Sequence, residues 1–132
     1  MDHIGQLIEF NSTAFPRQQQ DEELVNSDTM HGHALAKFIG DALEQRGFGE
    51  IRYVAEDWGW CCLLPNEGYE LFYGVCSYED AEFMIQFSPS RPVIRRLFRK
   101  IDVSERLGRL QRTVFEILEK APGRTQGPDW TS

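Results

Sequence analysis

The spacing of apolar residues changes period along the chain, and each change predicts a different element. Leu35, Phe38, Ile39, Ala42 and Leu43 recur at i, i+3, i+4, i+7 and i+8, which gathers them on one face of a helix. Ser27 or Asp28 can cap its start, Gly47 can supply the left-handed position after its end, and Phe48 the closing apolar contact. The spacing therefore predicts a helix over 29–46. Downstream the period falls to two. Segments 51–56, 60–65, 69–78 and 82–88 read as strands, as does IGQLIEF at 4–10. The breaks after 56, 65 and 78 carry Asp57-Trp58-Gly59, Pro65-Asn66-Glu67-Gly68 and Glu79-Asp80. Connections that short join antiparallel neighbours, because a parallel crossover needs a dozen or more residues. The segment 51–88 is thus expected to be a four-stranded meander.

Pro92 suits the first turn of a helix, and Val93/Leu97 and Ile94/Phe98 stand at i, i+4, so a second helix is expected there. A third begins at Asp102, with Glu105 placed for a capping box and a seam of Leu107, Leu110, Val114, Ile117 and Leu118. The expected fold class is α+β: an antiparallel sheet of about five strands, the meander plus the N-terminal strand, with about three helices on one face. Residues 1–121 form one domain on this reading, and the Gly- and Pro-rich 122–132 a flexible C-terminal tail. The polar stretch 11–28 is long for a loop in a compact domain and is expected to be pinned, with Phe15 as an anchor.

Composition narrows the class. The chain has 132 residues, 41% of them apolar and 27% charged, which suits a globular domain and excludes a disordered or fibrous one. No apolar run reaches the ~20 residues of a membrane span, and the N-terminus lacks the pattern of a secretory signal. Three cysteines, two of them adjacent, suit a reducing compartment, so a cytoplasmic protein is expected.

The net charge of −7 is unevenly spread. Residues 1–60 carry 11 acids against 4 Lys/Arg, residues 61–90 carry 5 acids and no Lys or Arg, and residues 91–132 carry 10 Lys/Arg against 5 acids. The simplest reading folds the basic segment back onto the acidic body, with Arg95, Arg96 and Arg99 in intramolecular salt bridges or an anion site. Neither nucleic acid nor a membrane is an expected partner of so acidic a chain.

The chemistry-bearing candidate is Glu56-Asp57-Trp58-Gly59-Trp60. Asp57 and Gly59 alone would make the turn; two indoles and a second carboxylate exceed that need. Three readings stand side by side. Trp58 and Trp60 can share one sheet face and cover the core. They can instead form a recognition tip with Glu56 and Asp57, joined by Asp21, Glu22 and Glu23 of the neighbouring acidic loop. Or Glu56 and Asp57 can act as general acid and base. His31 and His33, two apart, diverge on a helix, so no metal site is expected, and no phosphate-cradling loop or nucleophile motif implies a cofactor.

Several stretches together resemble a family of small bacterial proteins, marked by an EDWGW motif, for which no activity is established. They are Ala14-Phe15-Pro16, Asp21-Glu22-Glu23, His33-Ala34-Leu35-Ala36, Arg46-Gly47-Phe48, Glu56 to Trp60, and Pro89 to Asp102. The resemblance spans residues 8–118, implies one α+β domain and carries over no catalytic residue.

The expected function is a non-enzymatic, cytoplasmic protein-binding module, in its most concrete form an immunity- or antitoxin-like neutraliser of a basic partner. The alternative is a small enzyme or ligand-binding domain in which Glu56, Asp57 and Trp58 converge with Arg95, Arg96 and Arg99 on a pocket. Self-association into a homodimer is a third reading.

Overall fold

The computed structural model describes residues 3–66 and 68–132. Its chain order is β1 (Leu7–Ser12), α1 (His33–Gln45), β2 (Arg52–Glu56), β3 (Gly59–Leu64), β4 (Leu71–Glu79), β5 (Glu82–Ser88), β6 (Val93–Arg96), β7 (Arg99–Asp102), α2 (Ser104–Glu119) and β8 (Arg124–Thr131). Six strands form one antiparallel sheet in the order β2-β3-β4-β5-β1-β8, and β6 and β7 form a separate hairpin. The class is α+β, with two α-helices among the described residues where three helices were expected.

Alternation decides which face is buried. Ile8 and Phe10 of β1, Trp60, Cys62 and Leu64 of β3, Leu71, Tyr73 and Val75 of β4, and Phe83, Ile85 and Phe87 of β5 point to one side. Both helices close over that side with Leu35, Ile39 and Leu43 of α1 and the whole expected seam of α2. Helix α1 ends as the sequence predicts. Gly47 takes φ +86°, its N–H reaches the Glu44 carbonyl, and the Phe48 N–H reaches that of Leu43. That pair of bonds satisfies carbonyls that would otherwise be orphaned. Phe15 is buried against Phe38, ring centroids 5.1 Å apart, and pins the long loop.

Two expectations fail. Residues 93–102 are a β-hairpin, not a helix: Ile94 pairs with Ile101, both pack against the core, and the chain reverses at Leu97-Phe98. Packing two half-buried isoleucines side by side on the core replaces the i, i+4 contacts a helix would offer. Residues 122–132 are not a tail. Arg124–Thr131 is strand β8, which covers the edge of β1, buries Pro128, and stacks Trp130 on His3 and on Phe115 of α2.

The register sorts the connections between two ends of the sheet. At one end lie the 13–32 loop and the β2–β3 and β4–β5 turns, next to the Glu56/Gly59, Glu79/Glu82 and Asn11/Glu82 pairs. At the other lie the 65–70 loop and the β6–β7 hairpin, next to the Leu64/Leu71 and Phe72/Ser88 pairs. Six residues of β3 separate them, about 20 Å.

Candidate functional site

Asp21 organises the first of these ends. Although it sits in a run of acids, its side chain is fully buried. Its Oδ1 accepts from the Gly32 and His33 backbone N–H groups (2.9 and 3.0 Å) and from the Trp60 indole N–H (2.8 Å). Its Oδ2 accepts from the Gln18 N–H at 2.8 Å. A carboxylate with four donors around it is stable without water. It also serves as a cap: α1 begins after Gly32, which has no side chain to accept from the free N–H groups, and Asp21 does so from eleven residues upstream. Ser27 and Asp28, the expected caps, do not fill that role.

This overturns part of the expected recognition surface. Asp21 and Trp60, the latter 3% exposed, are interior and cannot touch a partner. Nor do the two tryptophans share a face. Trp60 pairs with Val75 on the helix side and meets the His33 ring edge-on at 4.9 Å. Trp58 belongs to the turn and lies on the open side, half-buried, stacked near Phe72 at 6.2 Å. A Cβ on Gly74 would come within 2.6 Å of its ring, so the indole occupies the space a side chain there would need.

Glu56, Asp57, Glu22 and Glu23 remain exposed. The Asn26 side-chain amide donates to the Asp57 carbonyl at 3.3 Å, which ties the acidic loop to the turn. Glu79, Asp80 and Glu82 of the β4–β5 turn are exposed at the same end. Among the described residues the sole ion pair is Lys37–Asp41, so none of these acids is neutralised in that way.

The cations lie elsewhere. Arg95, Arg96, Arg99 and Lys100 are exposed on the β6–β7 hairpin, at the opposite end of the sheet. The expected intramolecular salt bridges do not form among the described residues, because the hairpin carries these side chains away from the acids. For the same reason Glu56 and Asp57 do not converge with Arg95, Arg96 and Arg99 on a pocket.

His31 and His33 each have a hydrogen-bond partner within the fold. The His31 Nε2 lies 3.0 Å from the Asp80 carbonyl, and the His33 Nδ1 2.7 Å from Oε1 of Gln18. Burial lowers the pKa of His33 below the usual histidine value, against the opposing pull of Asp21 and Glu23. Cys62 lies in the core and Cys61 and Cys76 on the open face. Burial pushes the Cys61 thiol up to about 11 and raises the other two as well, whereas a nucleophilic thiol needs a lowered value. Among the described residues no three His, Cys, Asp or Glu side chains cluster as metal ligands would. A depression of about 190 Å³ beside β1, β5 and β8 gathers Glu9, Glu82 and Asp129, all carboxylates.

What sequence reasoning missed is the hairpin tip, Leu97-Phe98, taken as the apolar stripe of a helix and in fact wholly exposed. No protein-family profile matches the chain, and no significantly similar curated protein or solved structure was found.

Proposed function

We propose that this protein is a non-enzymatic binding module whose acidic end docks a basic protein surface, in the manner of an immunity protein or antitoxin. One observation carries the reading: Glu22, Glu23, Glu56 and Asp57 are exposed together on a rigid base and engage no cation among the described residues. The base is rigid because the Asp21 hydrogen bonds and the Asn26–Asp57 contact hold loop and turn in one arrangement. A preorganised surface loses little entropy on binding, and uncompensated like charges speed the approach of an oppositely charged partner. Trp58, half-buried beside the acids, offers an aromatic edge for contact.

The test is affinity capture with the tagged protein and a variant carrying Glu22→Lys, Glu23→Lys, Glu56→Lys and Asp57→Lys, from cells that produce it. A stoichiometric basic protein held by the first at low salt, and absent from the second, is expected. A partner retained equally by both would remove the acidic end from the interaction.

A further inference from the structure

The β6–β7 hairpin combines three features that folding alone does not explain. Its tip is apolar and protrudes: Leu97 is 92% and Phe98 101% exposed. Immediately behind the tip, like charges face each other across the strands, Arg96 opposite Arg99 and Arg95 opposite Lys100. Directly opposed like charges destabilise a hairpin. Finally, Leu97 has φ +58° and is the one non-glycine among the described residues in the left-handed region, a conformation a branched side chain adopts only at a cost. Glycine would turn the chain more easily and expose nothing apolar. Each feature weakens the free protein, and all three favour contact with something both anionic and apolar.

We infer that the hairpin docks end-on on an anionic phospholipid surface, with Leu97 and Phe98 inserted at the headgroup–acyl boundary and the four cations among the phosphates. The dimensions agree. Interfacial insertion reaches about 5–10 Å, and the cations stand one and two residues behind the tip, roughly 3–7 Å at strand rise. They project from both faces of the ribbon, since 95/100 and 96/99 are successive pairs, and so encircle the tip. A ring of charge about an apolar point suits perpendicular entry into a plane. The acidic end does not forbid the approach: it lies about 20 Å away along β3, beyond the roughly 8 Å screening length of physiological salt. A phosphodiester backbone would use the cations and leave the leucine and phenylalanine without a purpose.

The test is co-sedimentation of the full chain with phosphatidylglycerol–phosphatidylcholine vesicles and with phosphatidylcholine alone. Binding to the anionic vesicles is expected. It should fall roughly tenfold or more in Leu97→Ser/Phe98→Ser and in Arg95→Glu/Arg99→Glu, and should weaken at high salt. A second readout needs no loss of function: Phe98→Trp should add an emission component that shifts to the blue with anionic vesicles. Absence of vesicle binding, binding indifferent to the tip substitutions, or an emission that stays unshifted in the Phe98→Trp variant would each overturn the proposal. Retention of a duplex oligonucleotide without vesicle binding would do the same in favour of nucleic acid. A dimer abolished by the tip variant, again without vesicle binding, would assign the β6–β7 tip to a second copy of the chain.

Discussion

The indole N–H of Trp60 donates to Oδ1 of Asp21 across 39 positions of sequence, at 2.8 Å and out of reach of water. Through that bond a strand of the sheet, the start of a helix and a surface loop share one carboxylate. Asp21→Ala would leave the buried Gly32 and Trp60 N–H groups and the half-buried His33 N–H without their acceptor, and should cost roughly 3–5 kcal/mol in urea unfolding. Glu22→Ala and Glu23→Ala, one and two residues on but exposed, should stay within about 0.5 kcal/mol. Equal effects at the three positions would mean that Asp21 is no clamp.

Gly74→Ala places a methyl group where the Trp58 ring lies. The indole must move outward, at about 1–3 kcal/mol, and its fluorescence should shift to the red. An unchanged spectrum would show that Trp58 does not rest on Gly74.

At the hairpin tip the expected sign is reversed. Leu97→Gly relieves a left-handed leucine and should raise stability by roughly 0.5–1 kcal/mol in thermal unfolding, the cost of the strain less the added freedom of the unfolded chain. A loss of stability would mean that Leu97 packs against the body.

His33 gives a pH signature. Its folded pKa lies below the unfolded value because burial disfavours the imidazolium, and its place in the first turn of α1 opposes positive charge further. The unfolded chain therefore binds the proton first. The stability this site contributes is complete above about pH 6.5 and is lost as pH falls through the lower folded value. His33→Gln should flatten that part of the profile; parallel profiles for the two proteins would exclude the effect.

Removing residues 122–132 should do more than trim an end. It uncovers the β1 edge, takes Trp130 from Phe115 and deprives the Ser12 hydroxyl of its acceptor, the Pro122 carbonyl at 2.7 Å. A loss above roughly 3 kcal/mol, or failure to fold, is expected by circular dichroism. A truncated chain with an unchanged melting curve would show that β8 adds nothing.

The parts of the fold legible in the sequence are those whose pattern is local. Helix α1 showed its period and its Gly47 stop, and the meander its alternation and short turns. The 93–102 hairpin was hidden because its apolar spacing fits a helix equally well, and because Leu97-Phe98 contains none of the Gly, Asn or Asp that signal a two-residue turn. Strand β8 was hidden by its Gly and Pro content and by a partner more than a hundred residues away. At the acidic end the sequence leaves both a core and an exposed reading open for the 56–60 turn, and the folded chain exposes Glu56 and Asp57 together with Glu22 and Glu23. A core-facing Trp60 is among those readings; the burial of Asp21 is not, since burial of a single acid in an acidic run depends on contacts that only the folded chain makes.

The separation of charge along β3 gives the molecule a permanent electric dipole, pointing from the carboxylate turns to the arginine hairpin. An immobilised cationic matrix and an immobilised anionic one therefore meet different poles of the same protein. Despite a net charge of −7, its arginine hairpin is expected to be the part that meets a cation exchanger. Whatever charged surface it nears exerts a torque before any contact forms, so it arrives already turned, one pole engaged and the other facing away.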